Sequence, residues 1–377
     1  MISNKEKKLS AGILTPPVLT AGLIPLSNLV NILSLHTQSL YLITVNEGYT
    51  FFKDDARLTV LGINHTSGRT IFSRLFNYLS FQIQLAITFT KVIKKSDIWI
   101  FFLGGETLVL PMVIAKLYRK KVFLLYGGSV IHIYFPDKFA LFWIKILTFI
   151  NCTLSDKLIL YSENFVTEWN LEKWENKIEF AHEHIIDFQK FKITRKFHER
   201  KNLVGFIGRL SEEKGICNFV QALDLIVKDR QDITFLIAGD GLLRENVRHF
   251  IDQKQLGSFV KIEDWISHDN LPLVYNNLKL IVIPSFTEGL PNDMLESIAC
   301  GTPVLATSVG MIPSIIRNGE TGFILENNSP QCIAKNIIRI LDYPDLEKIA
   351  LNAQKKIEDE FSIENTVKQW KTILEKK

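Results

Sequence analysis

The sequence predicts an α/β protein built from two successive doubly wound parallel sheets, and three observations lead there. At 377 residues the chain is too long for one ordinary core and fits two domains. In the first half, short β-rich apolar runs alternate with longer helical patterns, which implies βαβ units and a parallel sheet. A charged stretch at 195–202, RKFHERKN, then breaks the apolar pattern, and the same alternation restarts behind it. Strands are expected at 40–45, 58–63, 98–103, 121–126 and 157–161, with helices near 70–95, 107–119 and 139–150. The second half reads as strands at 203–207, 233–238, 259–262, 279–283 and 303–306, with helices near 216–229, 242–253, 270–277 and 293–300. The expected domains are 1–195 and 200–360, facing each other across a cleft. Ligands of such sheets bind beyond the carboxyl ends of the strands. Residues 361–377 have the pattern of an amphipathic helix.

Composition narrows the class. With 47% hydrophobic and 22% charged residues, both cores can be filled and no segment reads as disordered. The four cysteines, Cys152, Cys217, Cys300 and Cys332, have neither metal-ligand nor redox spacing, so a reducing cytoplasm suits them. Residues 1–195 hold 22 Lys+Arg against 15 Asp+Glu, whereas 196–377 hold 22 against 25. The basic first half either meets an anionic surface, such as the inner face of a membrane, or is a solvated basic face. No nucleic-acid partner is expected. The uncharged stretch 11–46 follows Lys5, Lys7 and Lys8 and must be weighed as a signal sequence or anchor. Pro16, Pro17 and Pro25 oppose a continuous spanning helix, and the stretch reads as a buried strand, a loop and a helix.

Three stretches could carry chemistry, each at a strand end. Residues 208–215, GRLSEEKG, place Gly208 after a buried strand and Arg209 and Lys214 in the turn before a helix. Two cations so placed can hold a diphosphate, or can be surface charges beside an ordinary turn. AGDG at 238–241 puts Gly239 where a ligand or another backbone approaches closely, but lacks the third glycine of a dinucleotide fingerprint. The most informative stretch is 284–296, PSFTEGLPNDMLE, followed by Cys300-Gly301-Thr302-Pro303. Here Asn292 is the expected N-cap of a short helix that Gly301 and Pro303 close. Glu288 lies in the loop before that helix and Glu296 about one turn inside it. Two carboxylates so spaced can touch different parts of one elongated ligand.

These residues resemble the retaining family 4 glycosyltransferases, also called glycosyl transferases group 1, of the GT-B superfamily. Their signature is a glutamate, seven residues and a second glutamate, here Glu288 to Glu296 within EGLPNDMLESIACGTPV. GRLSEEKG at 208–215, AGDG at 238–241, VIPS at 282–285 and SVGMIPSIIRNGETGFI at 308–324 also match, together about a third of the chain in the same order.

The resemblance implies the GT-B fold, two Rossmann-like domains with the C-terminal helix crossing back onto the first, and transfer of a sugar from a nucleoside diphosphate sugar to a hydroxyl acceptor with retention. A UDP-sugar is favoured over a GDP-sugar, and the acceptor is expected to be a lipid-linked or growing surface glycan. Arg209 and Lys214 would bind the donor diphosphate and stabilise the charge left on it. Glu296 would bind the ribose and Glu288 the transferred sugar, with Gly208, Gly239, Gly289, Leu290, Pro291 and Asn292 adding donor contacts. No metal and no cofactor beyond the co-substrate are implied.

The first half departs from that family. Tyr126 stands where many relatives have a histidine, before Gly127 and Gly128, and Gly22 alone replaces a glycine pair after the first strand. These four residues are the acceptor-side candidates. His132 is out of register with the missing histidine and reads as a packed or surface residue. The run His182-Glu183-His184-Ile185-Ile186-Asp187 replaces an Asn-Gly turn, either as a loop remnant or as a metal pair. Two other functions fit the same pocket: a nucleotide-sugar epimerase, and a non-catalytic sugar-nucleotide-binding assembly protein.

Overall fold

A computed structural model describes residues 9–18, 20–66, 68, 71–126 and 138–376. It divides into two compact units, Met1–His184 with Thr366–Lys377, and Ile185–Asn365.

The first unit is a parallel sheet of β1 (Leu9–Leu14), β2 (Thr37–Val45), β3 (Leu58–Ile63), β4 (Ile98–Phe102), β5 (Lys121–Tyr126), β6 (Lys157–Leu160) and β7 (Ile178–Phe180), in the order β3-β2-β1-β4-β5-β6-β7. A strand covered on both faces must be apolar on both, which is why β4 reads IWIFF and is buried throughout. The uncharged stretch 11–46 resolves into β1, the helix Thr20–His36 and β2. Gly22, expected in a loop, lies instead in the first turn of that helix, packed against Val18 and Leu103. From Thr366 onward, the C-terminal helix Ile363–Glu375 completes this unit. Trp370 is fully buried, with its indole N–H donating to the His182 carbonyl at 2.8 Å. Gln369 donates to the carbonyl of Phe180, and the Lys157 ammonium to that of Ile373.

The second unit is a six-stranded parallel sheet of β8 (Leu203–Ile207), β9 (Thr234–Ala238), β10 (Val260–Glu263), β11 (Leu280–Ile283), β12 (Val304–Thr307) and β13 (Phe323–Leu325). Its order, β10-β9-β8-β11-β12-β13, is the doubly wound one, with the winding reversing between β8 and β11. The helix Ile216–Asp229 buries Ile216, Phe219, Val220, Leu223 and Ile226, the helical spacing that seats one face on the sheet. Truncating Leu223 to alanine in such a core costs about 2–5 kcal/mol.

The charged stretch 195–202 packs within this unit. Arg200 is buried and donates to the carbonyls of Leu278, Cys300 and Gly301 and to the Thr302 hydroxyl, while burial lowers its pKa to about 10. A guanidinium whose two terminal nitrogens are held by the carbonyls of Leu278, Cys300, Gly301 and Arg195 is a structural clasp, and residues 185–195 lie in the second unit with it. The edge strands β7 and β13 had no counterpart in the sequence reading, since three residues are too few to show a period.

Candidate functional site

The loops that follow β8, β9, β11 and β12 are stitched together by backbone. Gly208 N–H donates to the Ala238 carbonyl at 2.9 Å, and Leu210 N–H to that of Asp240 at 2.9 Å. Gly239 has φ +142, and a Cβ there would overlap the Gly208 carbonyl oxygen. Gly215, at φ +71, leads into the helix Ile216–Asp229 and leaves no room for a Cβ beside the Pro284 carbonyl. Met311 N–H reaches the Gly289 carbonyl at 2.8 Å, and Gly310 lies under the Glu288 and Gly289 carbonyls. Glycine is required where main chains approach this closely.

Within this frame Lys214 ends the short helix Glu212–Lys214, and its ammonium donates to Glu288 Oε1 at 2.6 Å. Ser285, buried at the end of β11, donates to the same oxygen at 2.7 Å. Both members of the pair are largely buried, with side chains 20% and 8% exposed, so each needs the other's charge. Burial alone would lower the Lys214 pKa, but the charges of Glu288 and Asp293 and the Glu288 hydrogen bond outweigh it and raise it. Lys214 is therefore a cation at neutral pH. Arg209 lies on the same loop, half exposed, with Glu213 at 3.5 Å.

The helix Asn292–Ala299 begins one residue earlier than expected. Pro291, in extended conformation, occupies the cap position, so Asn292 is the first helical residue and not its N-cap. Gly301 closes the helix with φ +69, as the sequence indicated. Asp293, in the first turn, has its carboxyl pushed up to about 7 by burial; Lys214 pulls the other way, and repulsion from Glu288 and Glu296 adds to the rise. Glu296, nearly buried, accepts from Tyr275 OH at 3.1 Å and lies 2.9 Å from His268 Nε2. The Lys190 ammonium stands 2.8 Å from His268 Nδ1, and an ammonium can only donate. His268 thus carries its proton on Nε2 and donates it to Glu296.

The structure gathers Gly208, Arg209, Lys214, Gly239, Glu288, Gly289, Leu290, Pro291, Asn292 and Glu296 around the carboxyl ends of β8, β9 and β11, on either side of the winding reversal. Sequence reasoning did not single out Asp293, Ser285, His268 or Tyr275. The first two lie inside the informative stretch and had a signal. His268 reaches Glu296 from the turn before the helix Leu271–Asn277 and Tyr275 from that helix, and neither segment has a motif of its own.

The acceptor-side candidates lie differently. Tyr126 ends β5 fully enclosed, its hydroxyl 2.9 Å from Cys152 Sγ and its ring 5.1 Å from that of Trp169. Gly127, Gly128 and His132 lie outside the described residues. His182, Glu183 and His184 are buried, with Tyr161 donating to Glu183. Among the described residues no three or more His, Cys, Asp or Glu side chains are arranged to hold a metal ion. No helix among them is long and apolar enough to cross a membrane.

Comparison with known proteins places this arrangement. Residues 187–356 match the family of glycosyl transferases group 1. The capsular polysaccharide biosynthesis glycosyltransferase CapM of Staphylococcus aureus is 31% identical over 248 residues, 61% of each chain. A Campylobacter jejuni alpha-1,4-N-acetyl-D-galactosaminyltransferase, named for a PP-undecaprenol-linked glycan, is 28% identical over 178 residues, 47% of this chain. The chain spans 61% and 48% of the lengths of those two relatives. Among solved structures, HepE of Anabaena in complex with UDP superposes with a TM-score of 0.78 at 16% identity, covering 96% of this chain and 99% of that one. A glycosyltransferase of Rickettsia africae gives 0.70 at 19% identity, covering 98% and 100%. Residues 187–356 thus match the glycosyl transferases group 1, and the fold of the chain is that of the solved HepE and Rickettsia glycosyltransferase structures, two Rossmann-like parallel-sheet units.

Proposed function

We propose that this protein transfers a sugar from a nucleoside diphosphate sugar to a hydroxyl of a lipid-linked or growing surface glycan, retaining the anomeric configuration. The observation that carries the reading is the enclosed Lys214–Glu288 pair beside Arg209, at the winding reversal of the second sheet. A diphosphate leaving group develops negative charge on its outer oxygen as the bond to the sugar breaks. Cations fixed in advance stabilise that charge at no cost in reorganisation, and this is the task of Arg209 and Lys214. The reading assigns them the charge stabilisation that a metal supplies in other transferases. Glu288, oriented by Lys214 and Ser285, accepts hydrogen bonds from the sugar hydroxyls. Glu296, oriented by His268 and Tyr275, accepts from the ribose. The start of the helix Asn292–Ala299, the positive end of its dipole, is assigned to the diphosphate. The leaving phosphate then assists deprotonation of an acceptor hydroxyl that attacks from the same face.

A uridine nucleotide is favoured because the Anabaena structure of the same fold holds UDP, and a glycan acceptor because of the names of the two relatives. Melting curves with UDP-, GDP- and ADP-sugars test the donor, since a ligand that binds only the folded state raises its melting temperature. UDP-sugars should raise it and the others should not. A curve that no nucleotide shifts would sink the proposal. Given a turned-over acceptor, the anomeric coupling of the product by NMR decides retention.

A further inference from the structure

The first unit carries a surface that sugar transfer does not use. On the helix Ile71–Val92 the side chains of Phe76, Leu79, Ile83 and Ile87 are exposed, Phe76 at 72%. Their spacing of three, four and four residues puts them in one stripe along the helix. The helix Val109–Leu117 packs between that helix and Lys138–Leu154, so the three lie side by side. It adds Leu110 and Leu117, the latter 76% exposed, and the third helix adds Phe142, exposed and edge-on to Trp143. Scattered apolar residues on a surface are ordinary, but a stripe continued over three neighbouring helices marks an interaction site.

Charge selects the partner. The three helices with the basic residues that directly follow them, 71–95, 109–121 and 138–154, carry ten lysines and arginines and no aspartate or glutamate; Asp97 and Asp156 come next in sequence, the latter paired with Lys116. Lys91, Lys94 and Lys95 are exposed at the end of the first helix, Arg119 and Lys120 follow the second, and Lys145 is exposed on the third. A protein partner or a second copy of this chain would meet this face with mixed charge. A bilayer of anionic lipid offers the complement, an apolar interior beneath a uniformly negative surface. None of the described helices is apolar enough to span, which leaves the arrangement of an interfacial helix lying in the headgroup plane.

We infer that the helices Ile71–Val92, Val109–Leu117 and Lys138–Leu154 dock the first unit on an anionic phospholipid surface. The apolar stripe enters the acyl boundary and the lysines meet the headgroups. The inference deepens the reading of a lipid-linked acceptor, which such docking would bring within reach. It is tested without donor or acceptor, so either idea can fail alone.

The experiment is co-sedimentation of the full chain with phosphatidylcholine vesicles, with and without about a third of phosphatidylglycerol. Binding is expected only to the anionic vesicles and should vanish at about 1 M salt, where the screening length is about 3 Å. Each cation near such a surface contributes about fivefold in partition, so Lys91→Glu/Lys94→Glu/Lys95→Glu should lower binding at least 100-fold. Leu79→Ser/Ile83→Ser/Ile87→Ser should also abolish it, and since all six side chains are exposed, both variants should melt like the parent. Equal binding to neutral vesicles would overturn the inference. So would absence of binding, whether the chain is monomeric or forms a dimer that the Leu79/Ile83/Ile87 variant dissolves.

Discussion

At the carboxyl edge of the second sheet the charges of Glu288 and Asp293 raise the pKa of Lys214, and those of Glu288 and Glu296 add to the rise at Asp293, with Arg209 on the same loop as Lys214. At the carboxyl edge of the first, Tyr126 hydrogen-bonds Cys152, and Tyr161 hydrogen-bonds Glu183 beside His184, while the Lys177 ammonium is spent on the carbonyls of Cys152, Thr153 and Ser155. The strands are wound alike, so topology does not make the difference. A ligand with its own negative charge needs a site whose cations are fixed and whose carboxylates are few and oriented. The first edge holds its polar groups for itself: Tyr126, Tyr161 and Glu183 are buried and bonded to neighbours.

The sharpest way to break this comparison is to remove charge from the second edge. Lys214→Met leaves Glu288 enclosed without its counter-ion, and removing one partner of a buried pair costs about 3–5 kcal/mol of stability. Transfer should fall at least about 100-fold, the scale of a lost transition-state contact. Glu288→Gln should do the same to activity with a smaller loss of stability. The double variant separates the two effects, because with both charges gone the melting temperature should recover while transfer does not. Full transfer by either single variant would remove the site assignment.

Backbone comes next. Gly239→Ala must push a Cβ against the Gly208 carbonyl at a φ that alanine avoids, with an expected cost of about 3 kcal/mol or more and loss of nucleotide binding. Gly22→Ala meets a movable Val18 side chain in a helical turn and should cost less than about 1.5 kcal/mol. Chemical denaturation of both variants compares them directly. If Gly239→Ala melted like Gly22→Ala, the close stitching of the second edge would be wrong.

Each edge also holds one carboxyl pushed up to about 7, Asp293 and Glu183, both mainly by burial. A folded pKa above the unfolded one means that the folded state keeps a proton the unfolded chain gives up. The contribution to stability is then full below about pH 4 and declines as pH rises to about 7. Asp293→Asn and Glu183→Gln cannot ionise. Their advantage in stability over the parent should therefore grow from pH 4 to 7 and stay level above, reaching roughly 2 kcal/mol or more at 1.4 kcal/mol per pH unit. Nucleotide affinity should distinguish the edges, changing with pH through Asp293 but not through Glu183. Isothermal titration between pH 6 and 8 measures it.

How much of this was legible follows from where each interaction closes in sequence. Lys214 and Glu288 sit in contiguous stretches whose glycines, prolines and charges are all needed locally, so the pattern survives in one sequence. The doubly wound alternation was equally plain, because β4 and β11 are apolar on both faces. His268 and Tyr275 were not, since they meet Glu296 only through packing of the helix Leu271–Asn277 on Asn292–Ala299. Arg200 misled for a related reason. A charged run looks like a linker until three carbonyls from distant elements converge on one of its side chains.

The smallest expected effect tests the reading of the first edge itself. Were Tyr126 a working replacement for the histidine of related chains, its hydroxyl would have to reach a substrate. It is instead bonded to Cys152 in an enclosed pocket, and burial raises its pKa well above the usual range, with the nearby Cys152 and Glu106 adding to the rise. Tyr126→Phe removes one buried hydrogen bond and leaves a weakly polar thiol behind, a cost of about 1 kcal/mol. Transfer should change less than about threefold, since no group that touches the donor moves and 1.4 kcal/mol would be needed for tenfold. A loss of 100-fold with an unchanged melting temperature would mean that the hydroxyl leaves Cys152 when substrate binds, and the contrast between the two edges would then be one of resting state only.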